Sequence, residues 1–293
     1  MKRLCATSIL ASLILISISV QGQETSSLDA KLALVTDLKV PAGAISLRLQ
    51  RKSETKRTQG GLLGKRWRQN WESRLMRATG RVQLEEWAGV TSFRQVGNTQ
   101  EYESNSRERI VFSGDGRAVR SKLDGGTETF DTAGRLIERT YRRGNKVLLR
   151  YTAHGSLSRV EGPGGSFLSF TTDSAGRAIR VQSSTGATVN YAYDKDNLIE
   201  VAVNGGPALR YGYDAKGSPV RIEDPQTGAL DIAYDSKERV ASYRWVDGSE
   251  QRFEYDDAIN SKRVIAPNGA ATVTQEDPQK RRTEITGPLG HGA

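Results

Sequence analysis

The sequence predicts an all-β fold: a long antiparallel meander of hairpin repeats of about 21 residues, curled into an open trough or partial shell. Three observations predict it. A Tyr-Asp pair recurs at Tyr213, Tyr234 and Tyr255, at intervals of 21 residues. A second turn signal, rich in Gly, recurs half a repeat later with the same period. Between the two, apolar and polar residues alternate, the mark of a strand with one buried face.

The position before the recurrent Asp falls at Phe112, Phe130, Tyr151, Thr172, Tyr193, Tyr213, Tyr234, Tyr255 and Glu276. Seven of these nine are Phe or Tyr in a chain with only twenty aromatic residues, so chance does not explain the spacing. Asp follows at Asp131, Asp173, Asp194, Asp214, Asp235, Asp256 and Asp277, while Ser113 and Thr152 are turn-formers too. Gly comes three residues after the Asp position at Gly116, Gly134, Gly155, Gly176 and Gly217, with Asn197 as a substitute. Asp-x-x-Gly suits a type I turn in which Asp accepts a backbone hydrogen bond and Gly takes the left-handed conformation of a bulge. The half-repeat signal includes Gly126, Gly144, Gly165, Gly186, Gly206, Gly228, Gly248 and Gly269.

Leu209, Tyr211 and Tyr213 share one face of a strand, and Val189, Tyr191 and Tyr193 share one face of another. After the turn a second strand is expected at Ser218–Glu223, with a distorted start or bulge at Pro219. About nine units then give about eighteen strands. At ~4.8 Å per strand the arc is roughly 86 Å, and wrapped once it leaves a lumen of roughly 20 Å after side chains. Up to four further strands are expected from residues 40–104. An exposed sheet edge follows, to be covered by the basic amino-terminal segment or by a partner.

Three regions are expected: 1–22 a signal peptide, 23–104 a basic leading segment made mostly of strands, and 105–293 the repeat sheet. The first has Lys2 and Arg3, an apolar run to Val20, and small residues before a cut at Gly22, which predicts a mature start near Gln23 and a secreted or periplasmic protein. An uncleaved anchor is the alternative, since the run almost reaches spanning length. Cleavage would remove Cys5, the only cysteine, and with it any disulfide or thiol chemistry. No membrane span is expected after cleavage.

The motifs "FDTAGRLIERTY", "TDSAGRAIRVQ", "YAYDKDNLIEV" and "YDAKGSPVRIED" resemble the Rhs/YD-repeat family, over residues from about Arg107 to about Thr286. Upstream, "PAGAISLRLQRKSETKRTQGGLLGKRWRQNWESRL" is similar to the region before the repeats in bacterial Rhs proteins, where a basic strand leads into a Gly-Leu-Gly-Trp-like element that Gly64 and Trp67 match loosely. A helix over Lys65–Ala78, with Trp67, Trp71 and Leu75 on one face, is the rival reading, and the resemblance favours strands. The family implies a wide sheet wound into a hollow shell. Large members enclose a carboxy-terminal toxin released by self-cleavage, and extracellular animal relatives support adhesion. This chain departs in having fewer repeats and in ending at "TEITGPLGHGA" with no cargo domain. The catalytic aspartates of the cleavage element cannot be mapped here, so self-cleavage is not carried over.

Catalytic and metal chemistry find no pattern. The two histidines, His154 in a turn and His291 in the tail, make no nucleophile–base pair with a Ser and no zinc spacing. Most Asp residues are already engaged as turn-formers, so no enzyme and no cofactor is expected. One patch stands out. Arg48, Arg51, Lys52, Lys56, Arg57, Lys65, Arg66, Arg68, Arg74 and Arg77 are opposed only by Glu54 and Glu72, with Trp67 and Trp71 interleaved. They are candidates for an anion-binding surface facing a glycan or cell-surface polymer, against the simpler reading of a solvated rim. Nucleic acid is the least expected ligand of an exported protein, and another YD-repeat chain is a further candidate partner. The sequence reading is a non-catalytic scaffold with a structural or binding role at the envelope or outside the cell; the alternative is a remnant or component of a toxin shell without its cargo.

Overall fold

The computed structural model describes residues 34–54, 57, 60–276 and 282–286. The expected leader, Lys56, Asp277 and His291 lie outside them.

A small sheet, in the order β1-β2-β3, comprises β1 (Val35–Ala42), β2 (Ile45–Ser53) and β3 (Trp67–Gln69). The long sheet begins with β4 (Arg74–Ala78), β5 (Arg81–Glu86), β6 (Gly89–Gln95), β7 (Glu101–Ser104), β8 (Arg109–Phe112), β9 (Ala118–Ser121) and β10 (Thr127–Phe130). It continues through β11 (Leu136–Thr140), β12 (Lys146–Tyr151), β13 (Leu157–Glu161), β14 (Phe167–Thr172), β15 (Ala178–Ser183), β16 (Thr188–Asp194), β17 (Asn197–Val203) and β18 (Leu209–Tyr213). It ends with β19 (Pro219–Asp224), β20 (Gly228–Tyr234), β21 (Val240–Trp245), β22 (Glu250–Asp256), β23 (Ser261–Ile265), β24 (Ala271–Glu276) and β25 (Arg282–Thr286). A single 3-10 turn, Pro163–Gly165, interrupts the pattern. The eighteen strands expected of the repeats are β8 to β25.

Each strand from β4 to β25 pairs antiparallel with its chain neighbours. The ladder passes from β7 to β8 without interruption, so hydrogen bonding joins residues 74–104 to the repeats and separates them from β1–β3. No ladder joins β25 to β4 among the described residues, and the sheet is a curled, open trough. It curls far enough for its backbone to meet itself: Arg74 bridges Arg135, and the Leu75 N–H donates to the Gly134 carbonyl at 2.8 Å. That contact holds the leading edge.

The Asp turns form as expected. Asp131 Oδ1 accepts the N–H groups of Ala133 and Arg135 at 3.0 and 2.8 Å, and Asp173, Asp214 and Asp235 repeat the arrangement. Gly134, Gly176 and Gly217 follow at φ 75°, 81° and 79°, Glu238 takes φ 60° in the Asp235 turn, and the register shifts by one residue beside each of these four turns, the signature of a bulge. The same shift falls opposite Pro219. Three details differ from expectation. Asn197 is not the left-handed substitute, because Asp194 pairs directly with Asn197 and Lys195 takes φ 50° in a two-residue turn. In the opposite turns, Gly125 and Gly205 carry the positive φ, not Gly126 and Gly206. The strand after Gly217 begins at Pro219, one residue later than expected, with Ser218 closing the turn.

The recurrent tyrosine has a role in hydrogen bonding. The hydroxyls of Tyr151, Tyr193, Tyr213, Tyr234 and Tyr255 donate to the carbonyls of Leu136, Ala178, Leu198, Pro219 and Val240, fifteen residues back in every case. These carbonyls lie beyond the end of the adjacent ladder; β11–β12 pairing, for example, stops at Glu138↔Leu148. The strands splay there, and the hydroxyl satisfies a partly buried carbonyl that would otherwise lack a partner. In three units an Arg completes a relay. Arg135, Arg177 and Arg239 pair with the Asp four residues before them and lie over the rings of Tyr151, Tyr193 and Tyr255 at 4.9, 4.6 and 4.1 Å. These three Asp turns are thereby tied to the repeat tyrosine of the following unit.

The trough is not empty, as the arc estimate had implied. The small sheet packs on the buried face of the long one, and both contribute to a single apolar cluster: Leu47, Leu49 and Trp67 from one, Val160, Val181, Leu198 and Tyr211 from the other. Residues 67–69 and 74–78 form strands, not a helix, with Trp67 buried at the start of β3 and Trp71 buried in the turn between β3 and β4.

Candidate functional site

The basic residues of the leading segment are spread over several environments rather than gathered on one surface. Arg51 is 1% exposed. Its Nε lies 3.0 Å from an oxygen of Asp37, its guanidinium donates to the Tyr211 hydroxyl, and it sits 5.1 Å from the Trp67 ring. The Tyr191 hydroxyl donates to the same Asp37 at 2.9 Å. Burial strongly disfavours the Tyr191 phenolate, and Asp37 adds to the effect, so this tyrosine remains a proton donor. Arg68 is also buried and reaches Glu54 at 2.8 Å and Glu85 at 2.6 Å. Arg57 pairs with Glu72 at 2.5 Å, Lys52 with Glu54 at 3.0 Å, and Lys65 with Asp196 at 2.9 Å. Arg66 donates to the Lys216 carbonyl, and Arg77 donates to Gln100 and lies 4.3 Å from the Phe112 ring. The segment acts mainly as internal glue. Of the nine described cations, Arg48, Arg74 and Arg77 are exposed and make no ion pair among the described residues, and Arg77 is engaged with Gln100 and the Phe112 ring.

Arg48 leads to a large cleft. At the rim opposite the Asp turns, the β1–β2 turn, the β5–β6 turn and strands β10–β11 surround a cavity of about 710 Å³. Its polar and aromatic lining comes from Arg48, Trp71, Glu86, Trp87, Lys122, Glu128, Arg139 and Tyr141, with Ser46, Gln50 and Asn70 between them. The floor is a charge network. Arg120 donates to Glu128 at 2.9 Å, to Glu86 at 3.0 Å and to Glu108 at 2.6 Å, and Arg139 reaches the other oxygen of Glu128 at 2.8 Å. Burial opposes ionisation of Glu128, but the Arg139 and Arg120 guanidiniums outweigh it and hold this carboxyl below the usual range. The walls are fixed as well: the Trp71 indole N–H donates to the Arg48 carbonyl at 2.8 Å, and Arg139 lies 5.5 Å from the Trp71 ring. Lys52 Nζ donates to the Trp87 carbonyl at 2.6 Å and lies 5.1 Å from its ring.

A smaller cleft of about 400 Å³ opens at the Asp-turn rim, lined among others by Arg74, Arg135, Tyr151 and His154. Among the described residues no cluster of His, Cys, Asp or Glu could hold a metal ion, and no helix is long and apolar enough to cross a membrane.

Sequence reading found Arg48 and Trp71 and missed Glu86, Trp87, Lys122, Glu128, Arg139 and Tyr141. These six come from three separate stretches that the curl of the sheet brings together; Arg139 and Tyr141 lie at the end of the "FDTAGRLIERTY" repeat motif, but at positions the repeat does not fix, and the other four belong to no motif.

A family model described as a domain of unknown function, DUF6531, matches residues 30–102, which hold the small sheet and β4–β6. No curated protein matches. The chain is similar to a solved TcdB2-TccC3-Cdc42 structure at 14% identity, covering 73% of this chain and 17% of that one, with a TM-score of 0.37. It is similar to TcdB2-TccC3 at 14% identity, over 71% and 18%, with a TM-score of 0.38. A Tc holotoxin pore of Photorhabdus luminescens gives 15% identity over 73% and 15%, with a TM-score of 0.36. This chain spans less than a fifth of the length of each of those chains.

Proposed function

We propose that the protein is a non-catalytic β-scaffold, exported by its amino-terminal segment, that binds an anionic partner at the cell envelope or outside the cell. The observation that carries this reading is the state of the carboxylates in the cleft at the rim opposite the Asp turns. A general acid for glycosyl transfer needs a carboxyl held protonated, and hydrolysis needs a second carboxylate free to act. Glu86 and Glu128 are instead both tied to Arg120, and Glu128 is held ionised. Such groups fix a binding surface and do not shuttle protons. Packing of the small sheet in the trough weighs against enclosure of a folded cargo by this chain alone, and so against the toxin-shell reading.

The test is fractionation of expressing cells together with amino-terminal sequencing of the product. A protein outside the cytoplasm that starts near Gln23 is expected; a full-mass product held in the membrane would overturn the export reading.

A further inference from the structure

We propose that the cleft at the rim opposite the Asp turns binds an acidic oligosaccharide, with the Trp87 and Tyr141 rings taking the apolar faces of the sugars and Arg48 taking the anionic group. This rests on the non-catalytic binding reading and gives it a site and a ligand class.

Four features point to this chemistry. The cavity, at about 710 Å³, lies within the ~300–1,000 Å³ range of small-ligand sites. Trp87 and Tyr141 are half-buried and line it, so their rings add contact area at little ordering cost. A sugar needs such a surface for its C–H face, together with polar groups for its hydroxyls. Glu86, Ser46 and Gln50 supply the polar groups.

Charge then selects among sugars. Arg48, Lys122 and Arg139 line the cleft against the carboxylates of Glu86 and Glu128; with Arg120 beneath, which Glu86, Glu108 and Glu128 share, four cations face three carboxylates. The surface left to a ligand is therefore positive. Arg139 is committed to Glu128, and Lys122 has only a 3.8 Å contact with Asp124. Arg48 is exposed and has no ion pair among the described residues, which leaves its planar donor fork available to a carboxylate. Finally, the network beneath the site holds the lining in place before a ligand arrives, so little of the binding energy is lost in ordering it.

The experiment measures binding of tetragalacturonate and of its neutral counterpart, galactotetraose, to the full exported chain by calorimetry. Thermal unfolding confirms that each variant is folded. The wild type should bind the acidic probe at least tenfold tighter than the neutral one. Trp87→Ala should weaken the acidic probe at least tenfold, Arg48→Gln should remove most of the preference for it, and Arg74→Gln, at the other rim, should leave binding unchanged. Equal binding of the two probes, full binding by folded Trp87→Ala, or no binding by the wild type would overturn the proposal. Release of new reducing ends from the probe would instead overturn the non-catalytic reading, so the two failures are distinguishable.

Discussion

The two rims of the long sheet are built from turns of similar length but are fastened differently. At the Asp-turn rim, side chains reach across units: Asp to Arg, Arg to the next tyrosine ring, and the tyrosine hydroxyl to a carbonyl fifteen residues back. The leading edge and the loop before β3 dock on the same rim, through Leu75 N–H to Gly134 O and Lys65 N–H to Asp196 O. At the other rim the turns rest mostly on glycine and local backbone bonds, such as Gly144 N–H to Tyr141 O at 2.8 Å. That rim holds the large cleft. The difference teaches that one rim is fastened turn by turn through the tyrosine relay, while the other is fastened locally by the charged network of its cleft and presents a surface.

The strongest way to break this comparison is a matched pair of glycine substitutions. Gly134 (φ 75°) and Gly144 (φ 80°) share a left-handed backbone, so valine at either should cost about 1–3 kcal/mol in strain. At Gly134 an added Cβ would also lie 2.0 Å from the Leu75 carbonyl oxygen, whereas at Gly144 it meets nothing within 4 Å. Gly134→Val should therefore lose more than ~4 kcal/mol, because it also expels the leading edge. Equal urea midpoints for the two variants would show that the leading-edge contact adds nothing.

Smaller effects sharpen the picture. Tyr213 accepts a hydrogen bond from the Trp67 indole at 2.9 Å while donating to Leu198, so Tyr213→Phe leaves two partly buried groups unpaired. A loss of about 2–3 kcal/mol is expected, against about 1 kcal/mol for Tyr234→Phe, whose hydroxyl donates to the Pro219 carbonyl. Similar losses in chemical denaturation would mean that the Trp67 contact is not coupled to the rim.

The smallest effect is in the acid range. Burial opposes ionisation of Asp173, but hydrogen bonds from the Arg177 side chain and backbone outweigh it and lower its pKa. A folded value below the unfolded one stabilises the protein above the ordinary Asp pKa and is lost as pH falls through the lowered value. Asp173→Asn should thus be less stable than wild type at neutral pH, with the gap closing below about pH 4. A gap that stays constant from pH 7 to pH 2.5 would remove the Asp173 charge from the account.

The repeat was legible because its causes are local. An Asp turn needs Asp and Gly three residues apart, and a half-buried strand needs alternation; both survive in one dimension. The tyrosine hydroxyl was not legible, since a ring at that position reads only as apolar. The leading segment misled for a related reason. Its cations outnumber nearby carboxylates in sequence, yet Arg51 finds Asp37 and Arg68 finds Glu85, residues 14 and 17 positions away. Because Arg68 is buried, charge reversal there would test folding, and exposed Arg48, Arg74 and Arg77 are the positions at which anion binding can be probed.

The fifteen-residue reach of the tyrosine hydroxyl also bears on how such a chain can change length. Since each hydroxyl grips only the unit before its own, a whole unit can be duplicated and the new copy will find its acceptor already in place. An insertion that is not a multiple of the unit length would leave a hydroxyl facing the wrong carbonyl at every junction it disturbs. The grammar of the repeat therefore permits growth and loss by complete units and penalises slippage within them, which makes unequal recombination between neighbouring copies the change this architecture tolerates best.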